Sequence, residues 1–249
     1  DELVHASLHA GIRASRADAL FFAHNDVDDC RRILEAERGK YRHCLILTEG
    51  VFSMDGDLAP LEALCDLAEA LDCWMMTDDA HGLGVLGGGR GSAAQAGVGQ
   101  RVPLQMGTLS KAAGSYGGYL CASRPVIDLM VNRARSLIYA TGLPPAAVAA
   151  SSAALEVIGH DAALVAAPME KARRFCKAVG LPDPQSPIVP LITGDASRAL
   201  DASAALATRG FLVIAIRPPT VPEGTARLRF TFQATHRDED IDRLAEAVR

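Results

Sequence analysis

No stretch of this 249-residue sequence strings together the ~20 apolar residues that a membrane-spanning helix needs. Basic residues are not in excess: Lys plus Arg number 25 against 30 for Asp plus Glu, a net charge of −5. That balance lacks the basic footprint of a nucleic-acid binder. The six cysteines, Cys30, Cys44, Cys65, Cys73, Cys121 and Cys176, include no CxxC pair. Most sit in apolar runs such as Cys44-Leu45-Ile46-Leu47 and Tyr119-Leu120-Cys121. This is the setting of free core thiols in a reducing cytoplasm rather than of a disulfide framework. The Walker spacing GxxxxGK[ST] is absent, and the glycines from Gly84 to Gly91 do not fit GxGxxG between a strand and a helix. There is no internal repeat and no signal-peptide pattern. There is no initiator Met either, and Asp1 falls on what reads as a helix already under way, so the sequence reads as part of a longer chain.

What is present is globular composition, 49% hydrophobic and 22% charged. A chain of this length buries roughly three quarters of its unfolded surface and needs no covalent staple. Short apolar runs alternate with amphipathic stretches in the first half. Leu20 to Ala23, Cys44 to Thr48, Cys73 to Thr77, Leu104 to Met106 and Tyr119 to Cys121 read as strands. Val27 to Glu37 places Val27, Cys30, Ile33 and Leu34 on one helical face, and Pro60 opens a helix that runs to Leu71. Strands apolar throughout and separated by helices imply α/β architecture with a mostly parallel sheet covered on both faces.

The second half changes character. Pro144 to Ile158 and Ala162 to Val179 read as long helices. Strands return at Ile188 to Ile192, Leu212 to Ile216 and Arg227 to Phe232, and Asp238 to Val248 is a last helix. This predicts a larger α/β domain over residues 1–155 and a smaller α+β domain over 156–249.

Two segments carry chemistry. Asp78-Asp79-Ala80-His81-Gly82 directly follows the strand Cys73 to Thr77, and ligands of open α/β sheets bind at the carboxyl ends of strands. Asp78 with His81 suits an acid and hydrogen-bond pair there. Asp at a strand end is also an ordinary helix cap, and Asp78, Asp79 and His81 are possible metal ligands, although no second His or Cys cluster lies nearby in the sequence. Gly107-Thr108-Leu109-Ser110-Lys111 follows another strand. A lysine among small hydroxyls and glycines can bind phosphate or react with a carbonyl, or it can be a surface lysine in a turn.

Taken together, Glu49-Gly50-Val51-Phe52-Ser53-Met54-Asp55-Gly56-Asp57, Asp78-Asp79-Ala80-His81-Gly82 and Gly107-Thr108-Leu109-Ser110-Lys111 resemble the α-oxoamine synthases, a family of fold-type I pyridoxal phosphate transferases. The tail from Arg217 to Arg229 is similar to the members that condense L-alanine with a pimeloyl thioester of CoA or a carrier protein and release carbon dioxide. The resemblance implies an acyltransferase with pyridoxal phosphate as cofactor, no metal, and a cytoplasmic homodimer. It implies Asp78 against the pyridine nitrogen, His81 and Ser53 on the phenolic oxygen, Lys111 as the amine that carries the cofactor, and Thr108 on the phosphate. His5 would stack on the ring, and Thr141 would reach the phosphate across the dimer interface. Strand periodicity does not separate Arg227 from Arg229 as the holder of the amino-acid carboxylate; the family pattern selects Arg229. The resemblance also implies an upstream segment that this sequence lacks. Glycine-using members of the family, which take acetyl-CoA or succinyl-CoA, are the alternative within it. A non-catalytic binding module is the alternative outside it.

Overall fold

The computed structural model describes residues 1–249, which divide into two compact units. The first holds Asp1–Val51 and Leu58–His160, and the second holds Phe52–Asp57 and Asp161–Arg249. The sequence division at residue 155 falls within the helix Pro145–His160, which belongs whole to the first unit.

A four-stranded sheet forms the centre of the first unit: β1 (Leu45–Glu49), β2 (Trp74–Asp78), β3 (Leu104–Thr108) and β4 (Gly118–Cys121), in that spatial order. The first three strands are parallel, with Glu49 opposite Asp78 and Asp78 opposite Met106, so β1 and β2 end level and β3 runs on to Thr108. β4 returns antiparallel along the edge, which leaves Cys121 exposed rather than in the core. The helices of this unit are α1 (Ala6–Ser15), α2 (Val27–Glu37), α3 (Leu61–Ala70), α4 (Ser92–Gln95), α5 (Arg124–Arg133), α6 (Arg135–Ile138) and α7 (Pro145–His160).

Local chemistry sets several of these limits. Asp26 caps α2 by accepting the Asp29 N–H, and Cys30 and Leu34, one turn apart, are its buried residues. Leu61, Leu64, Cys65, Leu67 and Ala68 are the buried residues of α3. Two expectations fail. The chain does not open inside a helix: the His5 side chain accepts the Ser7 N–H and starts α1 at Ala6, while Asp1 Oδ1 turns the backbone by taking the Leu3 N–H. Leu20 to Ala23 is no strand either. It makes one long-range backbone bond, from Glu2 N–H to the Phe22 carbonyl, and Leu20 and Phe21 stay exposed; one such bond does not make a ladder.

The second unit is a three-stranded antiparallel sheet, β5 (Ile188–Gly194), β7 (Ala226–Thr231) and β6 (Ile214–Ile216) in spatial order, with α8 (Ala162–Val179), α9 (Ala196–Thr208) and α10 (Asp238–Val248). Asp161 caps α8, and Gly180 ends it at φ +75°. Phe175 is fully buried and lies 4.7 Å from Phe230 and 5.2 Å from Phe232, ring centre to ring centre, at the middle of the core. Leu206, Leu228, Ile241 and Leu244 close that core.

Candidate active site

β2 delivers Asp78 to the carboxyl edge of the parallel strands, where 5% of it is exposed. Its Oδ1 accepts the Ala80 N–H at 3.0 Å. Burial pushes its pKa above the ordinary carboxylate value, and the Ala80 N–H and the charges of Lys111 and His5 act against that rise. Lys111 and His5 therefore stand within electrostatic reach of Asp78. His5 is exposed at the start of α1, and its Nδ1 accepts the Ser7 N–H at 3.2 Å and meets Ser7 Oγ at 2.8 Å. Because Nδ1 accepts, the neutral ring carries its proton on Nε2.

Lys111 is exposed on the loop that joins β3 to β4. That loop is tied internally: Leu109 N–H to the Gly117 carbonyl and Ser115 N–H to the Leu109 carbonyl, both 2.8 Å, and Gly114 N–H to the Lys111 carbonyl, 2.9 Å. Thr108 Oγ1 lies 2.8 Å from Ser110 Oγ and donates to the Gly117 carbonyl at 3.1 Å, so a hydroxyl pair precedes the lysine on a fixed backbone. His81 is half-buried in the turn that follows Asp79. Thr141 lies exposed between α6 and α7.

The eight residues singled out in the sequence fall into two sets. His5, Asp78, His81, Thr108, Lys111 and Thr141 lie in the first unit, and Ser53 and Arg229 in the second. The second pair is in contact: Arg229 Nε donates to the Ser53 carbonyl at 2.5 Å. Burial lowers the Arg229 pKa. Arg227 differs from its neighbour. It is 3% exposed, forms an ion pair with Asp55, and donates to the Met54 carbonyl at 3.2 Å and the Thr225 carbonyl at 2.9 Å.

Sequence reasoning gave Asp79 no role beyond a possible metal ligand. Both its oxygens accept the Ser92 N–H, at 3.1 and 2.9 Å. Cβ atoms on Gly50, Gly82 or Gly91 would collide with its carboxylate. Burial raises its pKa, the Ser92 donors act against this, and the charge of Asp78 adds to the rise. Those three glycines were the available signal, but in sequence they read only as turn residues. Tyr119 was missed as well. Its phenol crosses Gly107, and burial, with the negative charges of Asp79, Cys121 and Asp78, pushes its pKa up. No group of three or more His, Cys, Asp or Glu side chains is placed to hold a metal ion.

Known proteins are similar to this chain over nearly its whole length. The profile of the aminotransferase class I and II family matches residues 1–248. An 8-amino-7-oxononanoate synthase of Methylocella silvestris is 64% identical over 249 residues, the whole of this chain and 71% of its own length. One from Granulibacter bethesdensis is 57% identical over 249 residues, 64% of its length. Among solved structures, the serine palmitoyltransferase of Sphingomonas wittichii superposes with a TM-score of 0.91 at 29% identity, over 98% of this chain and 63% of its own. The chain thus spans about two thirds of the length of the relatives it matches.

Proposed function

The chain belongs to the aminotransferase class I and II family, and from that premise we propose that it forms the catalytic part of an 8-amino-7-oxononanoate synthase. In this reading the protein condenses L-alanine with a pimeloyl thioester of CoA or a carrier protein, releases carbon dioxide and serves biotin biosynthesis. Pyridoxal phosphate supplies the electron sink that such a reaction at an amino-acid α-carbon requires.

The observation that carries the reading is Asp78. A buried carboxylate that resists ionisation is suited to one partner above others, a cation placed against it. Asp78 would take the N–H of the pyridine ring, and His81 and Ser53 would donate to the phenolic oxygen. Thr108, fixed by Ser110 and the Gly117 carbonyl, would hold the phosphate. His5 would lie against the ring face. Lys111 would bind the cofactor covalently, and its freed amine would then move the α-proton of the amino acid. Arg229 donates to the protein from Nε alone, so its two terminal nitrogens suit a bidentate grip on the substrate carboxylate.

The protein acts as a homodimer in this reading, with Thr141 reaching the phosphate held by a second copy. Exposed apolar side chains from α5 to α7 support that: Leu129, Val131, Leu137, Ile138, Tyr139 and Val148 are each at least 43% exposed. A cytoplasmic location belongs to the same reading, and six free thiols, three of them buried, suit it. No single helix is long and apolar enough to cross a membrane.

The test is turnover by the purified protein with pyridoxal phosphate, followed by mass spectrometry. Alanine with pimeloyl-CoA is expected to give the amino-ketone and carbon dioxide. Product only from glycine with acetyl-CoA or succinyl-CoA would transfer the protein to the glycine-using members. A protein that gains no yellow colour with the cofactor, and no borohydride-fixed adduct on Lys111, would be a binding module instead.

A further inference from the structure

Arg227 takes no part in the reading above, yet it is the one arginine the fold buries. A buried guanidinium is costly unless it is paired and hydrogen-bonded, and every partner of this one lies in a single loop or in the residue just before its own strand. Nη1 meets the Asp55 carboxylate and donates to the Met54 carbonyl at 3.2 Å, and Nε donates to the Thr225 carbonyl at 2.9 Å. Residues two apart on a strand share a face, so Arg229 is turned toward the same loop and reaches the Ser53 carbonyl at 2.5 Å. A third fastening is steric. Gly56 has φ +72°, and a Cβ there would collide with the Ile188 carbonyl, so the loop backbone lies directly on β5. Within the loop, Phe52 N–H reaches the Asp57 carbonyl at 3.0 Å and Gly56 N–H the Phe52 carbonyl at 2.8 Å.

We propose that Arg227 is a positioning residue: it fastens the Phe52–Asp57 loop to β7, so that Ser53 and Arg229 are held on one surface. The functional consequence rests on the reading of Ser53 as donor to the cofactor's phenolic oxygen and Arg229 as holder of the substrate carboxylate; the fastening itself does not. The two arginines divide the work. Arg227 spends its donors on the loop and on the residue that leads into its own strand, whereas Arg229 spends Nε on Ser53 and presents its remaining nitrogens to a ligand. A guanidinium fits the first task because its planar fork reaches a carboxylate and a carbonyl together, which a lysine ammonium on one flexible stem does less well.

The experiment compares wild type with Arg227→Met, Arg227→Lys and Asp55→Asn. Asp55 is the more exposed partner, so the last variant breaks the pair without touching the core. In cofactor-free protein, hydrogen exchange across residues 52–57 is expected to quicken by about tenfold or more in Arg227→Met and Asp55→Asn, with β5 and β7 unchanged. Arg227→Lys should restore part of the protection. In cofactor-loaded protein, a displaced Ser53 leaves the phenolic oxygen with one donor fewer and raises its proton affinity. The pH midpoint of the visible absorbance band should therefore move up, and the KM for alanine should rise more than kcat falls. Unchanged loop exchange in both loop-breaking variants, or acceleration spread equally over β5 and β7, overturns the proposal. Faster loop exchange with an unmoved midpoint and an unmoved KM overturns the positioning role. A wild-type protein that gains no visible band overturns the reading of Ser53 and Arg229 and the functional consequence with it, while loop exchange in the cofactor-free variants decides the fastening.

Discussion

Two carboxylates stand side by side where β2 ends, and burial acts on Asp78 and Asp79 in the same direction. Each has a folded-state pKa above the ordinary 3.8, so over the interval between the two values the folded chain binds more protons than the unfolded one. Their contribution to stability is therefore present at low pH and is lost as pH rises through that interval. In cofactor-free protein, Asp79→Asn should make the thermal midpoint less sensitive to pH as the pH rises above the ordinary carboxylate value. A pH series of melting curves for wild type and variant checks this; parallel curves would contradict it. Activity separates the neighbours differently. Asp78→Asn should cut kcat by about a hundredfold or more, the usual cost of removing a catalytic electrostatic partner. Lys111→Ala should abolish turnover and the borohydride-fixed adduct together, as mass spectrometry of the treated protein would show.

At the scale of elements, the glycines around Asp79 make a measurable contrast. Gly91 has φ +98°, and a Cβ would run into Asp79 Oδ2, whereas Gly88 has φ +65° and open space around it. Gly88→Ala should cost about 1–2 kcal/mol, the left-handed penalty alone. Gly91→Ala should cost about 3 kcal/mol or more, because backbone strain and overpacking add. Urea unfolding of the two variants measures the difference. The same contrast explains what the sequence disclosed. Helices α2, α8 and α10 begin and end where it places them, because apolar spacing, with Asp caps for α2 and α8, writes those limits locally. The carboxyl-edge position of Asp78 was legible too, since an apolar strand announces its own end. Leu20 to Ala23 was misread because strand-forming side chains do not supply a partner for the ladder. The roles of Asp79 and Arg227 were hidden for a related reason: Ser92 lies thirteen positions from Asp79, and Asp55 lies 172 from Arg227. Only folding makes such residues neighbours.

At the scale of the molecule, the apolar side chains left exposed on α5, α6 and α7 need a cover, and in the proposed dimer a second copy provides it. Sedimentation of wild type should give a dimer. Glutamates in place of Leu137 and Ile138 should give a folded monomer, with far-ultraviolet dichroism preserved and turnover reduced if Thr141 serves the second copy. A wild-type monomer at micromolar concentration would remove that role from Thr141. The discontinuous second unit bears on how such proteins can be recombined. A hybrid that takes residues 161–249 from a relative and keeps its own 52–57 breeds a mismatch between a foreign sheet and a native loop, since Arg227 and Gly56 were matched to Asp55 and Ile188. The heritable module is the C-terminal unit together with six residues from far upstream. Hybrids built with both segments should melt higher and show a lower KM for alanine than those built with the C-terminal segment alone. Gene shuffling at a single crossover near residue 160 would select against itself wherever loop and sheet have drifted apart.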